Sequence, residues 1–145
     1  MKKIISLFTI ITIILFAVYK NVAFAQFSES KILYINNKSL EVEIAKSEAS
    51  RQKGLMFRTT LKTNSGMLFI FDRPTTSCMW MKNTLIPLSV AFVDSDGYII
   101  NIENMQQLDL SNHCAKRPAK YAIETNINWF ENNNIKANDF VKNLQ

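Results

Sequence analysis

Apolar residues in this chain fall into short runs, and turn-forming residues close each one. The clearest run sets Leu40, Val42 and Ile44 in alternation with Glu41 and Glu43. That period of two belongs to a strand with one face in a core and the other in water. Residues 31–36 (KILYIN) precede it, and Asn37 and Lys38 fall between, so the two segments read as a hairpin. Gly66 opens a second run, residues 67–71, too short for a helix and closed by Asp72, Arg73 and Pro74. Residues 78–83 read as another strand, Pro87 breaks the chain, and residues 88–93 resume it. Asp94-Ser95-Asp96-Gly97 is a turn, and residues 98–102 pair back across it. Residues 121–125 and 139–141 supply further strands. Helical signals are few. Ser47 is placed to cap residues 48–53, with Gly54 closing that helix, and residues 128–133 form a second, short one. Residues 105–118 show no period and read as a loop. The pattern predicts a mainly β protein, a compact single-domain β-sandwich or barrel-like fold with one or two short helices.

The first 25 residues are an address. A basic start, Met1-Lys2-Lys3, leads into an apolar stretch over residues 4–19, and Ala23-Phe24-Ala25 offers small residues where a signal peptidase reads. The expected mature domain is residues 26–145, exported to the periplasm or outside the cell. An uncleaved leader would instead tether it to a membrane. Without the leader, 14 cations face 12 anions, which leaves no electrostatic footprint for nucleic acid. Two cysteines and one histidine exclude a zinc framework. After export, Cys78 and Cys114 are candidates for one disulfide.

Four motifs carry a resemblance. They are residues 51–58 (RQKGLMFR), residues 66–71 (GMLFIF), residues 80–88 (WMKNTLIPL) leading into Ala91-Phe92-Val93-Asp94, and residues 118–124 (PAKYAIE). Together they resemble a mostly exported prokaryotic family known only as domain of unknown function number one hundred and ninety-two. The resemblance covers residues 32–141. It implies a compact β-sandwich-like domain and brings no activity. The chain departs from the family at several positions. Met79 stands where the family usually has Phe, Ser89 where it has an aspartate, and Lys120 where it has an arginine. Asn128, Asn134 and Asn138 stand where late glycines are expected, and asparagine tolerates the positive φ such turns need.

Several residues are candidates for a site. Arg51 and Arg58 bracket Gly54-Leu55-Met56, and an arginine fork suits carboxylate or phosphate. In a strand, Trp80 and Lys82 share a face, with Asn83 on the other. Arg51, Arg58, Trp80, Lys82 and Asn83 are therefore expected to line a site for a small anionic ligand or an envelope polymer. The competing reading makes them ion pairs, a snorkelling lysine and a turn cap. The first functional expectation is an exported envelope binding or accessory module, monomeric, with no cofactor and no metal. The alternative is an envelope hydrolase using Asp94, Glu124 or His113. Its plain counterpart leaves Glu124 as a strand-end carboxylate facing water. A second alternative is Cu(I) handling through the methionines and cysteines. No catalytic set is assigned.

Overall fold

The computed structural model describes residues 29–145, so the expected leader and its expected cleavage site lie outside the described residues. Among the described residues, nine strands and two short helices follow one another. Strand β1 (Ser30–Ile35) and strand β2 (Lys38–Ala45) lead to helix α1 (Glu48–Lys53). Then come β3 (Ser65–Thr75), β4 (Cys78–Met79), β5 (Leu88–Val93) and β6 (Ile99–Met105). The chain ends with β7 (His113–Cys114), β8 (Ala119–Asn126), helix α2 (Trp129–Asn132) and β9 (Val141–Lys142). Seven strands form one curled sheet in the order β6-β5-β8-β3-β2-β1-β9, a half-barrel, and β4 pairs with β7 apart from it. The mainly β expectation with two short helices holds.

Local chemistry explains the joins. The β1–β2 register runs from Ser30 opposite Glu43 to Ile35 opposite Lys38. Its turn therefore falls on Asn36 and Asn37, one residue earlier than the sequence suggested. Both have positive φ, at 47° and 64°, which asparagine tolerates far better than lysine. Ser47 caps α1 as expected and shares a reciprocal capping box with Ser50. The crossover through α1 makes β2 and β3 the parallel pair of the sheet. Asn128, Asn134 and Asn138 all adopt positive φ, at 61°, 57° and 72°.

The centre of the sheet is covered on both sides, so β5 is buried at every position and apolar at all but Ser89. One face packs Leu33, Val42, Leu68, Ile123 and the α2 residues Trp129 and Phe130. The other packs Met67, Phe69, Val90, Phe92 and Ala122 against Leu55, Met81 and Ala115. Gly66 is required where β3 meets β8: a Cβ there would lie 2.2 Å from the Glu124 carbonyl oxygen.

Three expectations about elements change. The strand expected to close at Asp72-Arg73-Pro74 runs through them to Thr75, which pairs with Ala119 after a register shift beyond Ile70. The strand expected over residues 78–83 ends at Met79. The Thr84 amide donates to the Met81 carbonyl at 3.1 Å and Asn83 has φ 56°, so this stretch turns instead of extending. Met81 and Thr84 consequently point inward, while Trp80 and Lys82 point outward. The stretch over residues 105–118 contains β7, held to β4 by the Cys78–Cys114 disulfide. The expected disulfide is therefore present.

Candidate functional site

On the α1 side of the sheet lies a cleft of about 340 Å³. Each element contributes a wall. Helix α1 and the turn after it present Arg51, Leu55 and Met56, and β3 presents Phe69 and Phe71. The disulfide-held β4 and the residue after it present Cys78, Met79 and Trp80, and the following turn presents Thr84. Glu124 belongs to the same lining.

Glu124 is the unusual member. It occupies the middle of the sheet, opposite Met67 of β3 on one side and Val90 of β5 on the other. Its side chain shares the face of Ala122, among the apolar residues of the second core cluster. Only 5% of the residue is exposed. Among the described residues, no side chain or amide hydrogen-bonds its carboxyl, which faces the cleft. Burial pushes this carboxyl up to about 8, because it penalises the charged form and no partner in the described residues offsets that cost. It is therefore protonated at neutral pH, able to donate one hydrogen bond and accept others. Thr84, also 5% exposed, is the other buried polar side chain of the lining, and its hydroxyl donates to the Lys82 carbonyl at 3.3 Å.

The residues expected to form one site are distributed around this cleft unequally. Arg51 and Trp80 line it. The Arg51 guanidinium is committed elsewhere, donating to the Lys46 and Ile70 carbonyls and to the Asp72 carboxylate. It thereby ties α1 to the edge of β3. Arg58 lies in a separate cleft of about 330 Å³ and forms a two-pronged pair with Glu43 of β2. That pair raises the Arg58 pKa further, chiefly through the hydrogen bond to Glu43. The Lys82 ammonium sits 5.1 Å above the Trp80 ring, outside the lining. Asn83 accepts the Phe57 amide on its carbonyl and reaches the Met56 sulfur with its side chain. The structure brings Arg51, Trp80, Lys82 and Asn83 to one neighbourhood and sets Arg58 apart.

Of the three residues considered for hydrolysis, only Glu124 reaches the cleft. Asp94 follows Val93, which pairs with Tyr121, three residues along β8 from Glu124 and so about 10 Å away. Burial would raise Asp94, but the Tyr98 amide, Arg117 and the Asp96 amide outweigh it and hold the carboxyl low. His113 lies in β7 and contacts Asp109 and Ser111 at 3.3 Å. Of the methionines, Met56 and Met79 line the cleft while Met67, Met81 and Met105 are core. Among the described residues, no three His, Cys, Asp or Glu side chains gather as a metal site.

Two departures from the family pattern acquire roles. The Lys120 ammonium donates to the Phe71 and Asp72 carbonyls at 2.7 and 3.0 Å, steadying the irregular part of β3. Ser89, fully buried, donates to Asn104 and accepts the Asn128 amide at 2.8 Å, joining β5 and β6 to the start of α2.

Comparison with known proteins fits this architecture. A family model described as an uncharacterised group, the domain of unknown function 192, matches residues 31–143. No curated protein matches. A crystal structure from Sinorhizobium meliloti, described as a candidate transcription regulator, is 29% identical with a TM-score of 0.76, covering 79% of this chain and 94% of that one. A protein of unknown function from Novosphingobium aromaticivorans is 30% identical with a TM-score of 0.76, covering 82% of this chain and 89% of that one.

Proposed function

The chain belongs to the family defined by domain of unknown function 192, and from that premise we propose that it is an exported binding module whose cleft holds one small group of an envelope partner. The observation that supports this most is Glu124, an unpartnered carboxyl at the floor of an open, mostly apolar cleft. Burying it there costs stability that a methionine or leucine would not. A fold tolerates such a cost most readily where the group serves a ligand. The cleft volume, about 340 Å³, lies at the low end of ligand pockets and suits one residue-sized group.

An anionic group is the less well served choice. Arg51 is already paired, Arg58 lies in another cleft, and a carboxyl occupies the floor. An uncharged or cationic group suits the walls better. A hydrolase reading draws on the same carboxyl, since an acid still protonated at neutral pH is what a general acid requires. It would need a partner other than Asp94 or His113, neither of which lines the cleft. The description of one structural neighbour as a transcription regulator suggests nucleic acid, but 14 cations against 12 anions beyond residue 25 support that poorly.

The test uses methyl signals of the methionines. Soluble cell-wall glycan fragments and short blocked peptides are titrated into the protein. The binding reading expects Met56 and Met79 to shift while Met67, Met81 and Met105 stay fixed. Saturating amounts of both probe classes that leave Met56 and Met79 unmoved would sink it.

A further inference from the structure

We infer that the cleft and the apolar surface around its mouth form a single docking site for an extended polypeptide segment, with a lysine or arginine side chain of that segment entering the cleft to meet Glu124. This rests on the binding reading above and names the ligand it would take.

The first support is the order of surfaces along the cleft. Leu55, Phe69, Phe71 and Met79 supply apolar wall beside the polar residues of α1, and the floor is a carboxyl without a partner among the described residues. A basic side chain has the same order: an aliphatic stem, then a cationic head. The second support is the rim. Phe57 and Leu110 are each 66% exposed, Leu108 57%, Trp80 48% and Leu85 46%. Backbone hydrogen bonds sew the segments carrying them together: Phe57 amide to Asn83 carbonyl at 2.8 Å, Leu108 amide to Thr84 carbonyl at 3.0 Å, and Met81 amide to Asp109 carbonyl at 2.8 Å. Phe57 and Leu85 each directly follow a residue that lines the cleft itself, Met56 and Thr84 respectively. Phe57 is also held at φ 64°, a backbone state that bulky residues rarely adopt. A small free amine would leave this rim uncovered, whereas a peptide flanking its basic residue with apolar ones would bury it.

The charged groups facing Glu124 are few. Helix α1 contributes Glu48, Arg51 and Lys53 to the lining, with Arg51 paired to Asp72. Strands β3 and β4 contribute no charge to it, and Lys82 is stacked outside on Trp80. Entry of a cation therefore requires Glu124 to release its proton to solvent.

The experiment compares two blocked peptides, Leu-Val-Lys-Val-Leu and the same sequence with norleucine for lysine, by calorimetry from pH 6 to pH 8. Ionisation of a group titrating near 8 makes affinity for the lysine peptide rise about 50-fold over that range. The norleucine peptide should bind more weakly and without that slope, and Glu124→Gln should remove the slope for lysine. Equal, pH-independent binding of both peptides overturns the cationic ligand while leaving the binding reading intact. Affinity that falls with rising pH also overturns it, pointing to an uncharged group that accepts from the protonated acid. A double change, Leu108→Ser with Leu110→Ser, should weaken both peptides at least tenfold with an unchanged far-UV spectrum, and unchanged affinity would remove the rim from the site. Glycan fragments that shift Met56 and Met79 where neither peptide does would overturn the polypeptide alone. Silence from every probe would overturn the binding reading with it.

Discussion

Single residues decide most of the chemistry here, and Glu124 decides the largest part. Its carboxyl titrates near 8 in the folded state against 4.5 for the free group, because burial removes water without supplying a partner. Between those values the unfolded chain gives up a proton that the native state keeps. Stability contributed by this site is therefore highest at low pH, declines as pH rises from about 4.5 to about 8, and levels off above. The full decline is on the order of 5 kcal/mol. Glu124→Gln should abolish it, so that urea unfolding shows the variant gaining on the parent protein as pH rises from 5 to 8.5. A constant difference between the two would mean the carboxyl is solvated. Glu124 was visible in the sequence as a carboxylate between Ile123 and Thr125, yet its environment was not. Whether such a residue faces water or a core depends on what covers that face, and here the covering comes from α1 and the segment around residues 80–84, distant in sequence.

Among the elements, the β4–β7 pair matters most for the site. Two residues per strand make too little hydrogen bonding to persist alone, and the pair stands apart from the seven-stranded sheet. The Cys78–Cys114 bond closes 36 residues and holds the pair in place as one wall of the cleft. Changing both cysteines to alanine should cost about 4 kcal/mol on the loop-entropy model, read as a lowered denaturation midpoint. It should also broaden the Met79 methyl signal before that of Met67, since Met79 lies in β4 and Met67 in the sheet centre. Strand periodicity exposed β1, β2 and the β5–β6 hairpin in the sequence because one face or one turn marked each of them. It missed β7, since two residues carry no period, and it carried the strand at Cys78 too far, because Met81 and Thr84 satisfy an alternating pattern and a turn equally poorly.

For the whole molecule, the export proposed above is what would connect the disulfide, the cleft and the proposed partner. Intact mass of the protein from the cell envelope should match a chain starting at Gln26 and rise by about two hydrogens on reduction. A mass retaining the leader would place the domain at a membrane surface instead. The mainly β class, the turns at asparagine, the capped helix and the candidate cysteine pair were all legible in the chain, because each rests on local stereochemistry or on a period of a few residues. The strand order, the parallel β2–β3 join and the cleft were not. They depend on contacts between residues far apart in sequence, which is why Arg51 and Arg58, so alike as a motif, end in different clefts beside different carboxylates. A local pattern constrains the backbone of its own segment, and packing across the sheet selects which side chains meet and which of them lose water.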